Sequence, residues 1–595
     1  MQTPAEPIPS GRPSGFGLAP VTAILVGVAF TLAVHGYQFG ESNHTVYLLQ
    51  AIRGIDPQLL TRDWFTTQTL QYHALFGWLT GWLARLGVLE AGSLAGYLAL
   101  CLALHTAWWS IVRSVGGSEL AYLLSVSLHY LSAGGVGLGS YHLVQDAAFL
   151  PSNIANAGLL GGIALHLRGY SRTSAACFGL AGAFHLNYAV VGIALWAFLH
   201  LKSAWSAQVL VASALATVPA LLNLAFAGLG RPAHHASLPL AEFVEIYVRF
   251  RHPHHYDPRS WHPGIWTAFL WPVVTVFALG WTRRTRFLNS QWSMAEPARR
   301  QLLRISAFLA CMIGFALLFA GLTYISETLV QMSLYRFSPI LHVLCCTWIA
   351  SAWTQRDRGS ANRALVWTTI TLAGLVTTIW LAAVRHLTPS PLRVLNDNTS
   401  AWMTLLGVTL APAMFAFSLR LGELQRRASL LLLIITLALV LAIGLRTGVL
   451  GVVRVPDSAD EDYFALADWA QAHTRVDALF LVPPSETAWR LRARRAIIVN
   501  FKGVPQFSDE LREWENRLRL TLGDRPLHTL PRGFQNITAA MDDVYAAMTP
   551  AQLLGVARGF GADFIVFPKA IEHPDLSTVA RSPKGKWTIY RVRRT

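Results

Sequence analysis

Residues 35–73 read HGYQFGESNHTVYLLQAIRGIDPQLLTRDWFTTQTLQYH and hold Glu41, Asp56 and Asp63 together with His35, His44 and His73. Carboxylates and imidazoles are the side chains that take up and release protons near neutral pH. Gathered directly after a long apolar run, they suggest a reaction or binding site where a helix leaves a membrane. A second polar stretch, GSYHLVQDAAFLPSN, adds His142 and Asp146, and RFRHPHHYD adds Arg249, Arg251, His254 and His255. Arg336 stands alone in ETLVQMSLYRFSP.

Not every acid here needs a chemical role. IDPQLL and TRDWF both fit helix N-terminal signals, so Asp56 and Asp63 also read as caps. Glu41 precedes no obvious helix start, and Asp146 lies just before an apolar run. Glu41, Asp63 and Asp146 are therefore the candidate catalytic carboxylates. The HPHH cluster has metal-ligand residue types but no spacing that specifies a metal. No metal site is assigned, and a divalent cation is compatible with the chain without being indicated. A solvated, lipid-facing basic loop is the plainer reading of that cluster.

The elements that must position these groups are membrane helices. Hydrophobic residues make up 53% of the 595, charged residues 13%, and mean hydropathy is +0.40. Apolar runs of about 20 residues recur along the chain, the length that crosses a bilayer core. The net charge of +16 comes mainly from Lys and Arg in short loops between runs, which is an orientation signal rather than a nucleic-acid footprint. All five cysteines lie within apolar runs, so neither a disulfide framework nor a CxxC site is expected.

Residues 1–17 read as a disordered cytoplasmic tail, and Leu18 to Val34 as a retained anchor. Ala74 to Leu89 is short, with two Trp and an Arg, and reads as an interfacial amphipathic helix. Further spans are expected at 94–112, 120–137, 154–167, 209–229, 266–281, 305–325, 339–353, 364–384, 401–419 and 430–450. Residues 173–201 are interrupted by HLN at 185–187 and read as two short helices that reach the outer surface at His185 and Asn187. With that pair the chain has about 13 spans. Inner segments of residues 1–454 then hold 17 Lys+Arg against 5 Asp+Glu, and outer segments hold 12 against 10. A single helix at 173–201 would put RRTR (283–286) and QRR (425–427) outside, against the positive-inside rule. The outer loops are then 35–92, 138–151, 230–263, 326–338 and 385–399, closing a membrane domain of 18–454.

Residues 455–595 change character, with 19 Lys+Arg, 17 Asp+Glu and shorter apolar runs. ALFLVPP, RAIIVNF, DFIVFP and WTIYRV read as strands, DELREWENRLRL and PAQLLGVARGF as helices. The expectation is a small extracytoplasmic α/β domain that folds on its own.

An anchor helix, an acidic outer loop, an interfacial helix, paired short helices with a polar turn and an external C-terminal domain together resemble the GT-C fold of membrane glycosyltransferases. GESNH (40–44) lies where that fold carries its first-loop acidic motif, with Glu-Ser-Asn-His in place of a tighter acidic pair. HLN (185–187) lies where aminoarabinose and protein mannosyl transferases carry a polar turn. WAQAHTRVDALFLVPP, RRAIIVNFKGVPQF and EWENRL resemble bacterial GT-C-like proteins with a domain of unknown function. The resemblance implies an α-helical polytopic protein of the inner membrane that uses a polyprenyl-phosphate-linked sugar, in contact with membrane lipids. Such chemistry needs a carboxylate for the acceptor and cations for the leaving phosphate. Arg336 is the first cationic candidate, with lipid-headgroup anchoring as its plainer role. Arg251, His44, His185, Asn187, His254 and His255 complete the expected binding set. The alternatives are a transporter or flippase, or a non-catalytic envelope protein. Transporters keep ionisable groups near the midplane and show repeats, whereas the acids and bases here gather at one face.

The topology is testable. In a cysteine-free background, single cysteines at Ser203 and Gln355 should be shielded from a membrane-impermeant thiol reagent in intact cells, and one at Ser485 should react. Labelling at Gln355 would undo the paired helices and reverse the spans that follow.

Overall fold

The computed structural model describes residues 18–69, 73–132, 135–201, 207–228, 238–261, 263–283, 296–354 and 461–593. The expected tail, the spans at 364–384, 401–419 and 430–450, and the loop 385–399 lie outside the described residues. Among the described residues Leu89–Ser114, Pro297–Leu322 and Glu327–Ser351 are each long and apolar enough to cross a membrane, and Leu138–Ala147 with Pro151–Leu167, bent by 101°, is either a broken span or a re-entrant pair. The chain is a multi-pass membrane protein.

Helix starts and stops follow local chemistry. Ser118 caps Glu119–Leu131 through the Ala121 N–H, and Pro151 opens Pro151–Leu167, where its missing N–H costs nothing. His185 takes extended backbone angles and separates Ser171–Phe184 from Leu186–His200, which pack on each other. This is the break expected at HLN. Ala74–Arg85 buries Phe76 and Ala84 and turns out Trp78 (69% exposed) and Trp82 (52%), as an interfacial helix requires.

His105, His129 and His342 are buried among the helices. Each is tied to a neighbouring helix: His105 bridges Thr31 Oγ1 and Tyr122 OH, both at 2.7 Å, and His129 meets His342 at 2.9 Å. Tyr130 adds a 2.6 Å contact to Thr31. Polar side chains paired in this way hold membrane helices together.

The C-terminal part is a five-stranded sheet in the order β2-β1-β3-β5-β4, with β1 Leu479–Leu481, β2 Ala496–Ile497, β3 Phe564–Phe567, β4 Leu576–Arg581 and β5 Thr588–Val592. β1 is parallel to β2 and β3, while β5 runs antiparallel to β3 and β4. The four strands expected from sequence are present, and β4 is additional. Ser508–Thr521 and Pro550–Phe560 are the expected helices; the second carries a Thr549–Gln552 capping box and ends on Gly561 in the left-handed region.

Alternate strand residues face opposite ways. Phe480, Ile497, Phe564, Val566 and Ile589 pack with Tyr463, Leu466 and Trp489 on one face. The other face differs from the sequence expectation. Leu479, Leu481, Ile565 and Phe567 share one apolar cluster with Leu59, Leu60, Trp64 and Phe65 of the first outer loop and with Val244, Tyr247 and Val248 of a later one. The external domain's core therefore continues into the membrane loops. Residues 455–595 expressed alone should bind a hydrophobic dye and melt without a sharp transition. A soluble product with cooperative unfolding would show that those loops add nothing to its core.

Candidate functional site

Helix ends, three loops and one edge of the C-terminal domain meet in a polar cluster. Its floor is the turn at Asp146, which holds φ 55° and is followed by Ala147 at φ 47°. Side chains disfavour this left-handed region, so surrounding contacts must enforce it. Asn153 does so: its Oδ1 accepts the Gln145 N–H at 2.7 Å, and its Nδ2 donates to Gln145 O and Ala148 O, both at 2.8 Å. The Asp146 carboxylate then accepts Ser42 Oγ–H at 2.9 Å, the Asn43 N–H at 3.2 Å and Gln145 Nε2–H at 3.0 Å.

Ser42 and Asn43 belong to the GESNH motif, so the first outer loop grips the second through Asp146. His44 completes the grip. Its Nδ1 accepts the Gly40 N–H at 3.2 Å, leaving Nε2–H to donate to Phe149 O at 3.0 Å. Burial holds this imidazole neutral, lowering its pKa against the opposing pull of the Phe149 carbonyl and Asp146. Glu41 is half-buried in the same turn, and its carbonyl accepts the His44 N–H at 2.9 Å.

The cationic side comes from two places. Arg336 follows Ser333, another left-handed residue at φ 49°. Its Nη1–H donates to His185 Nε2 at 2.7 Å, and its guanidinium lies over the Tyr141 ring at 4.9 Å. Nε of Arg336 and Nδ1 of His185 are buried without a hydrogen-bond partner. No carboxylate pairs with Arg336 among the described residues. His185 is kept neutral by burial first, then by Arg336 and His73. Asn187 points elsewhere, donating to Gln331 O at 3.2 Å.

The second cation, Lys502, was not singled out in the sequence. It arrives from the external domain on the turn Asn500–Gly503. Asn500 Oδ1 accepts the Gly503 N–H and Arg490 Nη2–H, both at 2.8 Å. A Cβ on Gly503 would sit 2.7 Å from Arg490 Nη2, so any larger residue would displace that guanidinium. Arg251, from the membrane loop, clamps the turn from the other side by donating to Phe501 O at 2.8 Å and Lys502 O at 3.3 Å. Burial and Arg251 lower the Lys502 pKa to about 8, while Asp146 opposes them. Lys502 thus lies within electrostatic reach of the Asp146 carboxylate. A signal was available: Lys502 is the only charge between Arg495 and Asp509.

His254 and His255 stand beside this turn and are neutral. His255 donates from Nδ1 to Gly139 O at 2.6 Å and stacks on Tyr141 at 4.7 Å. Burial, then Arg251 and Lys502, push His254 down to about 4. Among the described residues no three His, Cys, Asp or Glu side chains are grouped to hold a metal.

Asp63 is placed apart from the cluster. It caps Trp64–Gln68, accepting the Thr66 N–H at 2.9 Å and its hydroxyl at 2.6 Å. It also accepts the Ile497 N–H at 3.1 Å and pairs with Arg490 at 3.3 Å, both side chains only 1% exposed. This is the cap reading with an ion pair added, and it leaves no face for a substrate. Asp56 does not cap a helix as expected: it ends Leu49–Ile55 and accepts the Gln58 N–H at 2.8 Å in a run of turns, and the next helix starts only at Trp64.

Residues 461–521 match a family profile described only as a domain of unknown function, DUF6798. That segment carries Arg490 and Lys502. No curated protein matches the chain. Among solved structures, ArnT from Cupriavidus metallidurans in the apo state aligns over 96% of both chains at 15% identity and TM-score 0.45. The same protein bound to undecaprenyl phosphate aligns over 97% of this chain and 98% of its own at 14% identity and TM-score 0.46. The archaeal oligosaccharyltransferase AglB from Archaeoglobus fulgidus, with an inhibitory peptide and a dolichol-phosphate, aligns over 92% of this chain and 69% of its own at 10% identity and TM-score 0.43. At these values the likeness stops at the fold, and no site residue is carried across.

Removing one member of a buried ion pair strands the other charge at a cost of about 3–5 kcal/mol. Asp63→Ala should therefore lower the melting temperature sharply, and adding Arg490→Leu, which removes the stranded charge, should recover much of the loss. No recovery in the double variant would show that the cap and the Ile497 contact, rather than the charge pair, carry the effect.

Proposed function

We propose that the protein is a glycosyltransferase of the outer membrane face, moving a sugar from a polyprenyl-phosphate donor to an acceptor hydroxyl. The observation that carries this reading is Arg336, a cation over the Tyr141 ring whose Nε has no hydrogen-bond partner and which has no carboxylate partner among the described residues. A half-buried guanidinium left in that state suits an oxyanion ligand, since its planar N–H groups match a phosphate. Lys502 supplies a second charge, and Asp146 the carboxylate opposite.

The roles follow from where charge moves. As the acceptor oxygen attacks the anomeric carbon, its proton passes to a carboxylate. The bond from that carbon to the phosphate oxygen breaks, and the leaving phosphate gains negative charge that fixed cations stabilise. Asp146 is the first choice of base, because its three hydrogen bonds fix its orientation at the cluster. Glu41, next to the Ser42 that holds Asp146, is the second carboxylate at this surface. Asp63 is not retained, since donors and Arg490 occupy it. No observation favours a transporter, as His105, His129 and His342 are engaged between helices.

The test is direct. Protein purified from its native membrane should carry a polyprenyl phosphate or lipid-linked sugar identifiable by mass spectrometry. Arg336→Gln should reduce that lipid at least about tenfold, the factor that loss of one charge-assisted contact supplies. Asp146→Asn should keep the lipid and lose about 10²–10⁴-fold in transfer rate. Full activity in Asp146→Asn moves the base to Glu41, and full activity in Glu41→Gln as well removes the mechanism. Lys502 is charged below its pKa, so activity should fall as pH rises through about 8. Lys502→Arg should move that fall to higher pH, since guanidinium stays charged.

A further inference from the structure

A second site lies beside the first. A cavity of about 470 Å³ opens between the 244–260 segment and the external domain, lined by Arg249, His254, Asp257, Arg259, Arg532 and their neighbours. The volume suits a small ligand or headgroup. Its three guanidinium groups come from three separate places: the Val244–Arg251 helix, the turn at Pro258–Ser260, and the segment before Phe534–Ala546. Arg259 reaches toward Leu322 O at 3.5 Å, which sets the cavity at the outer end of a membrane helix.

The carboxylates nearby are partly committed. Asp257 accepts the Arg259 N–H at 3.1 Å. Glu245 braces Arg249 at 3.0 Å and lies 3.9 Å from Arg532. Three positive groups thus face two negative ones, and the Arg532 side chain is 76% exposed, so turning it onto a ligand disturbs little packing. His254 lines this cavity and also stands beside Lys502 and Arg251. A molecule seated here would have one end at the proposed transfer site.

We propose that this cavity is the acceptor subsite and that the acceptor bears a phosphate monoester, bound by Arg249, Arg259 and Arg532. The proposal rests on the glycosyltransferase reading above. Arginines converging from separate segments make a fork for phosphate oxygens, while the transferred sugar would enter from the Arg336 side. The phosphate group has two sources, a lipid headgroup or a soluble phosphorylated sugar or polyol.

The test uses the full chain in detergent and in nanodiscs. Inorganic phosphate and glycerol 3-phosphate binding, measured by calorimetry, should weaken about five- to tenfold in Arg532→Gln and in Arg259→Gln, the effect of one lost charge-assisted contact. Arg336→Gln should leave this binding unchanged while losing the co-purifying donor lipid. Unchanged binding in both Arg532→Gln and Arg259→Gln overturns the proposal, as does binding that depends on Arg336 alone. Loss of the donor lipid result, with the cavity binding intact, counts against the transferase reading instead. Competition by phosphatidic acid nanodiscs, but not by phosphatidylcholine ones, supports a lipid-borne phosphate. Equal binding in both kinds of nanodisc supports a soluble one.

Discussion

Two neighbouring residues of the first outer loop fasten the external domain to the membrane part. Asp63 is buried against Arg490 and the Ile497 N–H, and Arg62 reaches Asp563 at 2.6 Å and Gly561 O at 2.5 Å. A buried ion pair adds little net stability, because desolvation offsets the attraction. What it adds is specificity of docking: either charge alone in that interior is strongly unfavourable, so only the matched arrangement survives. The apolar contacts of Leu59, Leu60, Trp64 and Phe65 then supply the burial that holds the joint.

That joint decides the chemistry available at the site. Arg490 is bound on one side to Asp63 and on the other to Asn500, and Asn500 shapes the turn that carries Lys502. Arg251 fixes the far side of the same turn from a membrane loop. Lys502 is therefore positioned by contacts to both halves of the molecule. Domain and membrane loops complete one site, which is why the domain's apolar face has no separate cover.

Much of this was legible in the sequence where the signal is local. The break at His185 shows as a polar triplet between two half-length apolar runs. Asp63 as a cap shows in TRDWF, and the lone Arg336 shows as a cation in an outer loop. The partner of Asp63 was not legible, because Arg490 lies 427 residues away and pairing across such a gap leaves no local pattern. β4 was missed since it lies at the sheet edge with mostly partly exposed side chains, giving no apolar alternation. Independence of the external domain was inferred from its alternating strands, but alternation says that a face is covered, not by what. The role of Ser42 and Asn43 was also hidden: GESNH reads as an acidic motif, whereas two of its residues hold the acid of another loop.

The electrostatics of the cluster point the same way as its geometry. Six histidines crowd the outer surface at His44, His73, His185, His252, His254 and His255, and burial drives all of them toward the neutral form. A ring of imidazolium groups would bind any anion that came near, without selectivity. Neutral rings instead act as fixed donors and acceptors, and they leave the charge to Arg336, Lys502 and Arg251. Of these, Arg251 is spent on backbone carbonyls. Arg336 lies over the Tyr141 ring at 4.9 Å, which attracts a cation without neutralising it. Left-handed residues at Ser42, Ser140, Asp146, Ala147 and Ser333 surround the same spot, and such conformations persist only where neighbours over-determine them. Strain, a cation without a carboxylate partner among the described residues and a carboxylate with fixed orientation converge there, and these are the features on which the proposed phosphate contact rests.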